Sequence, residues 1–413
     1  MYNQKNALLS IGQHTTMRIL FTAFTYRCLE NWLPLVYEIR KNGGICDYIF
    51  FPRISDPNHR KLLEIKENIL LVDKIDSNFN FVNRTKEEVL LDFTKNAVNY
   101  DAVLMTSCVA GPELDLKKAM NNSYKSPIFI GLQHGFYQNW EGYENNFDCF
   151  DYFGVFGEAF INKFNEKFRN RVISLGLPKL DNSTAQHSTA QHSTAQHSTA
   201  QHSTAQHSTA QHSTAQHYNT TAREIEIKIK TGQLSFLFAL QSTVPTKIVR
   251  DIVKCLQQKS YNVILRPHPE HIDIYSPLLD NSVKLSDKNK TFIEALSEAD
   301  IVLTSGSTAA LESIEAYKPT IIIPEQNGNV YRDFDIVADS CDIKDIMDVL
   351  RKYQSPHFNN KLRKTMTSYT GVSGLRSEIA YRNLTKLIKK RPSPLSKLWN
   401  LIGLSSKKNN TID

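Results

Sequence analysis

The chain has 413 residues, of which 41% are hydrophobic and 22% charged, enough apolar content for more than one core and too much for a disordered chain. Its 49 basic residues against 42 acidic ones leave a net charge of +7, a mild excess that suits anionic substrates or a membrane surface rather than dedicated nucleic-acid binding. Six scattered cysteines, without a C-x-x-C pair, an N-terminus without the apolar core of a secretory signal, and no apolar run near the ~18 residues that cross a bilayer together predict a cytoplasmic protein.

In chain order, Arg18–Phe24 reads as a strand, Cys28–Lys41 as a helix closed by Gly43-Gly44, and Cys46–Phe51 as a second strand. A helix over Lys86–Asn99 leads into the strand Asp101–Ser107. The strands Pro127–Leu132, Tyr152–Phe156 and Arg171–Leu175 follow. These are apolar runs without alternation, as expected of parallel strands covered on both faces.

Residues 183–217 are seven perfect copies of Ser-Thr-Ala-Gln-His. The segment has no charged, aromatic or large aliphatic side chain, so burial cannot offset the entropy of ordering it, and disorder is expected. As a flexible coil its ends would lie roughly 30 Å apart. A unit that repeats in frame also predicts a copy number that varies between strains.

Beyond the repeat the rhythm resumes. Leu234–Leu240, Asn262–Arg266, Asp300–Thr304 and Pro319–Pro324 read as strands. Thr246–Lys259, Thr291–Ala299, Thr308–Tyr317 and Ile343–Tyr353 read as helices. Strand–helix alternation on both sides of the repeat predicts two doubly wound parallel sheets facing a cleft. The division is an N-terminal unit at 1–181, a linker at 182–232, a second unit at 233–377 and a tail at 378–413. In the tail, basic Ile388–Arg391 precedes Pro392 and Pro394. Leu395, Leu398, Trp399 and Ile402 then fall at helical spacing among lysines. That segment suits an anionic membrane surface, with contact over 388–408, and it equally suits packing back on the body.

Ligands of such sheets bind beyond the carboxyl ends of the strands. Arg266-Pro267-His268-Pro269-Glu270 leaves a strand there, with prolines that stiffen the turn and an arginine and histidine fit for phosphate. Thr304-Ser305-Gly306-Ser307-Thr308 joins a strand to a helix, where small residues allow close backbone approach and helix amides favour an anion. Glu312, one turn on, is placed to accept hydrogen bonds from ribose hydroxyls or to be plain helix surface. Across the cleft, His134 in Gly131-Leu132-Gln133-His134-Gly135 is a general-base candidate for an acceptor hydroxyl, or a structural or acceptor-orienting residue. No Asp-x-Asp ends a strand, so no metal ligands and no cofactor beyond the donor are expected.

The order Gln-His-Gly, Val-Phe-Gly-Glu, Leu-Gly-Leu-Pro-Lys-Leu-Asp, Arg-Pro-His-Pro, Thr-Ser-Gly-Ser-Thr-Ala-Ala-Leu-Glu and Lys-Pro-Thr-Ile-Ile-Ile-Pro resembles GT-B fold glycosyltransferases of bacterial surface polysaccharides. That group holds CDP-glycerol glycerophosphotransferases, capsule Kdo transferases and bacterial sialyltransferases. The resemblance implies catalysis by His134 and His268. It implies a phosphate site at His268, Ser307 and Thr308 and a CMP- or CDP-linked donor in preference to a UDP-linked one; together with the residues read above, the expected donor site comprises Arg266, Glu270, Ser305, Gly306, Ser307, Thr308 and Glu312. The acceptor would be a glycan or lipid-linked hydroxyl of capsule, lipopolysaccharide or a teichoic-acid-like polymer, and no nucleic acid is involved. The sequence lacks the paired-acid motif of the sialyltransferases and has Leu311-Glu312 where the glycerophosphotransferases commonly have Phe-Asp, so the donor stays open. Non-hydrolysing UDP-sugar 2-epimerases share the fold and stand as an alternative, as does a non-catalytic nucleotide or glycan sensor.

Overall fold

The computed structural model describes residues 16–23, 26–50, 100–106, 110–121, 126–136, 140–181, 223–240, 244–267, 272–278, 283–287, 289–324 and 328–390. The helix expected over Lys86–Asn99, the Ser-Thr-Ala-Gln-His repeat, the turn His268–Glu270 and the tail beyond Lys390 lie outside these residues.

Six strands form the first sheet: β1 (Arg18–Ala23), β2 (Ile45–Phe50), β3 (Ala102–Met105), β4 (Ile128–Leu132), β5 (Tyr152–Val155) and β6 (Val172–Ser174). All pair in parallel, in the order β2-β1-β3-β4-β5-β6. Five more form a second parallel sheet: β7 (Ser235–Leu240), β8 (Asn262–Pro267), β9 (Val283–Leu285), β10 (Ile301–Thr304) and β11 (Thr320–Ile322), in the order β11-β10-β7-β8-β9. The strand order reverses direction between β1 and β3 in one sheet and between β7 and β10 in the other. These are the positions where open α/β sheets leave a crevice. Nearly every residue of β1, β3, β4, β7 and β10 is buried, which is why their sequences run apolar without alternation.

The helix expected over Cys28–Lys41 is two helices, Tyr26–Glu30 and Leu33–Lys41, parted at Asn31 and Trp32. Pro34 sits in the first turn of the second, where its missing N–H costs nothing and the chain restarts as a helix. The break leaves the buried Asn31 side chain free to serve the neighbouring loop, as described below.

After the second sheet the chain returns to the first. Helix Pro356–Thr370 packs on the short helix Glu158–Ile161, and helix Arg376–Lys389 packs on Leu33–Lys41. Gly157 permits the first crossing, because a Cβ there would fall inside the backbone of Ser368 and Tyr369. Asp181 anchors the second: its Oδ2 accepts from the Ser377 N–H at 2.8 Å and the Ser377 hydroxyl at 2.7 Å. That carboxylate satisfies a first-turn amide of a helix whose own N-cap residue, Leu375, offers no side-chain acceptor.

Arg376, 1% exposed, completes the joint. Its guanidinium donates to Glu315 at 2.8 and 3.2 Å, to the Thr370 carbonyl at 2.9 Å and to Asp181 at 3.5 Å. One contiguous apolar core therefore runs through both halves, from Leu20 and Val103 to Phe238 and Leu303. Among the described residues, no helix is long and apolar enough to cross a membrane.

Candidate functional site

Gln133, fully buried, fixes the loop that follows β4. Its Oε1 accepts from the Phe156 N–H at 3.0 Å and its Nε2 donates to the Gly135 carbonyl at 2.9 Å. Between these anchors His134 stands edge-on to Tyr143, ring centroids 6.4 Å apart, and its carbonyl accepts from Asn31 Nδ2 at 3.0 Å. Burial lowers the imidazole to about 4, so at neutral pH His134 is uncharged and able to take a proton.

In the second half, Thr304 of β10 and Arg266 of β8 are both in register with Ala239 of β7. Thr304 and Arg266 therefore stand at the same level of the sheet, on either side of one strand, roughly 10 Å apart at the usual strand spacing. The Ser305–Thr308 turn closes on itself. The Ser307 N–H donates to the Ser305 carbonyl at 2.6 Å, and Ser307 Oγ accepts from the Ala309 N–H at 3.2 Å. Ser307 is thus the residue that caps the helix Ala309–Glu315, and Thr308 caps nothing with its side chain. Among the described residues nothing accepts from the amides of Gly306 and Thr308.

Arg266 turns toward its own sheet. Its guanidinium donates to Ser286 Oγ at 2.8 Å and to the carbonyls of Asp287 and Lys290 at 3.3 and 2.6 Å, so it braces the loop after β9. Two of its five N–H groups are left by these bonds. His268 and Glu270 lie outside the described residues.

Glu312 is 6% exposed and so is no surface residue of its helix. Its Oε1 lies 3.0 Å from Lys179 Nζ, and the same ammonium lies 3.3 Å from Glu30 of the first half. Burial opposes the charge on Lys179, but Glu312 and Glu30 outweigh it and hold the ammonium above the ordinary lysine range. The Lys179 N–H also donates to the Asn31 carbonyl at 3.0 Å, and Asn31 is the residue that holds the His134 carbonyl.

A second bridge runs through aromatic rings. Phe136, two residues after His134, stacks on Tyr331 with centroids 4.8 Å apart, and the Tyr331 hydroxyl donates to the Ser307 carbonyl. Burial, then Glu312, pushes the Tyr331 phenol well above its usual value, so it stays a donor. The His134 loop and the Ser305–Thr308 turn, more than a hundred residues apart in sequence, are thus joined by two short chains of contacts.

Asn31, Lys179 and Tyr331 were not among the residues singled out from sequence. Lys179 lies within Leu-Gly-Leu-Pro-Lys-Leu-Asp, which marks the segment but gives no sign that its lysine faces a carboxylate of the other half.

No family model and no curated protein matches this chain. Among solved structures it is similar to a glycosyltransferase from Rickettsia africae ESF-5, at 9% identity over 91% of this chain and 99% of that one, TM-score 0.56. It is also similar to a putative UDP-N-acetylglucosamine 2-epimerase from Listeria monocytogenes, at 10% identity over 91% and 98% of the two chains, TM-score 0.54. A UDP-GlcNAc 2-epimerase from Neisseria meningitidis, solved bound to UDP-GlcNAc, matches at 14% identity over 90% and 100%, TM-score 0.51. The chain has the GT-B fold. At these identities the likeness is one of overall architecture.

Proposed function

We propose that this GT-B chain is a metal-independent transferase that moves a sugar or polyol-phosphate unit from a nucleotide-activated donor to a hydroxyl of a surface polysaccharide. The observation that carries the reading is the double bridge, Phe136–Tyr331–Ser307 and Asn31–Lys179–Glu312, which ties a neutral histidine on one wall to an amide-bearing turn on the other. The donor phosphates would rest on Ser305, Gly306, Ser307 and Thr308, with Arg266, His268 and Glu270 beside them.

In the reaction the acceptor O–H gives its proton to His134 as its oxygen bonds to the transferred carbon or phosphorus. The bond to the leaving phosphate breaks, and the nucleotide departs with that electron pair. Amide donors and His268 stabilise the departing charge, the kind of interaction that often dominates such catalysis. A cytidine-linked donor is favoured by the resemblance of the motifs. Acceptors held at a membrane would be reached through residues 388–408.

Purified protein would be screened for thermal stabilisation by CMP, CDP, UDP and GDP and their sugars, alone and as His268→Ala, with turnover followed in chelator. Stabilisation by a cytidine nucleotide in wild type only is the expected result. Conversion of UDP-GlcNAc without any acceptor would replace this reading by the epimerase. No response to any nucleotide would overturn it in favour of a non-catalytic role.

A further inference from the structure

Tyr331 touches elements of both halves. It lies in the segment Gly328–Phe334 that follows β11, and it is wholly buried. Its hydroxyl donates to the Ser307 carbonyl, which also accepts from the Ala310 N–H at 3.2 Å. A carbonyl oxygen has two lone pairs, so these two donors fill it. The peptide between Ser307 and Thr308 is planar and trans, so its N–H points away from its carbonyl. Holding the carbonyl on Tyr331 therefore turns the Thr308 N–H the opposite way, and among the described residues nothing accepts from it. Without the phenol, that carbonyl would keep only a first-turn helix bond, and helix ends fray.

The ring of Tyr331 is set from the other half. Phe136 stacks on it with planes 18° apart, and Phe334 and Tyr369 flank Phe136 with centroids 6.1 and 5.6 Å away. Phe136 is in turn fixed by its loop, because Gln133 holds the Gly135 carbonyl. In a close-packed interior a ring cannot shift unless the ring stacked on it shifts too.

We infer that Tyr331 is a positioning residue: it aims the Thr308 N–H at the donor's phosphate, and through Phe136 it makes that aim depend on the acceptor half. The inference rests on the proposed reading of Ser305–Thr308 as the turn that holds the donor. Its own content is that affinity for the nucleotide is set in part from the His134 loop, by a buried ring that touches no ligand.

The test is calorimetric titration of CDP, UDP and GDP into wild type, Tyr331→Phe, Phe136→Met and the double variant, with melting of each free protein alongside. Tyr331→Phe keeps the ring and its stack and loses only the hydroxyl, so it should melt close to wild type. It should bind the nucleotide that wild type binds about two- to tenfold more weakly, the share of one hydrogen bond. Phe136→Met nearly keeps the volume without the ring face. It should weaken the same nucleotide although it lies in the other half, and in the double variant the two losses should not add.

Tyr331→Phe that binds as tightly as wild type would overturn the inference, as would Phe136→Met of unchanged affinity or losses that simply add. A role in stability alone would lower the melting temperature and leave the affinity where it was. Should Phe136→Met fail to fold, Tyr331→Phe decides by itself. Wild type that binds none of the three nucleotides would sink the donor-turn reading, and the inference with it.

Discussion

Replacing Arg376 by methionine would strand a carboxylate where solvent cannot reach it. Glu315 is 2% exposed, and its two oxygens receive the Arg376 fork at 2.8 and 3.2 Å. After the change the Ser373 hydroxyl still donates to it and Arg363 Nη1 still lies 3.8 Å away, but the paired, close guanidinium contact is gone. Removing one partner of a buried pair costs about 3–5 kcal/mol, because the remaining charge is left uncompensated. In folding units the size of these halves, that is a fall in melting temperature of roughly 6–20 °C.

The sign of the pH dependence follows from Glu315. Burial pushes its carboxyl up, but Arg376 and then Arg363 outweigh that and keep it below the usual carboxylate range. The pair's contribution is therefore present above the unfolded carboxyl pKa and is lost as pH falls through the lower folded value. The gap between wild type and Arg376→Met should narrow in acid. Adding Glu315→Gln to the variant should recover part of the loss, since the stranded charge is gone. Differential scanning fluorimetry at several pH values reads all three. A single variant within about 1 kcal/mol of wild type, or a double variant whose losses simply add, would refute the reasoning.

His134 makes a stability prediction and a kinetic one. Its imidazole titrates at about 4 in the folded chain against 6.5 ordinarily, so the unfolded state binds the extra proton between those values. Its stabilisation is complete above 6.5 and is lost as pH falls toward 4, about 3 kcal/mol in all. Denaturant titrations of His134→Gln should lack this slope. On the proposed mechanism kcat/KM should have its acid limb near 4, and removal of the imidazole should cost ~10²–10⁴ in rate. A limb at 6–7 would assign the proton transfer to another group. Gly157→Ala should destabilise by about 1–3 kcal/mol, because its Cβ meets the backbone of Ser368 and Tyr369 rather than a side chain that can move. A variant that melts with wild type would show that the crossing helix yields freely.

Ten of the eleven strands were legible in the sequence, since each of them is an apolar run between turn residues and needs no distant partner to be recognised. Asp300–Thr304 and Pro127–Leu132 appear as β10 and β4 within one or two residues. β9 was not legible. Val283–Leu285 is three residues long with only Val283 buried, too short for any period to show. The break at Asn31 was passed over because Cys28–Lys41 keeps a helical pattern across it, although Pro34 marks the restart locally. What uses the break, a carbonyl on another strand's loop and a lysine beyond β6, is distant in sequence.

The sequence by itself determined where turns leave the sheets, and so where His134 and the Ser305–Thr308 turn must lie along their strands, because strand ends and small residues are local properties. Only the tertiary structure decided what those residues face. It turned Arg266 onto Ser286 and Lys290, buried Glu312 against Lys179, and placed Tyr331 between Phe136 and Ser307. The physical reason is that charges and ring faces choose partners by distance in space, and the chain that joins these partners carries no local trace of the choice.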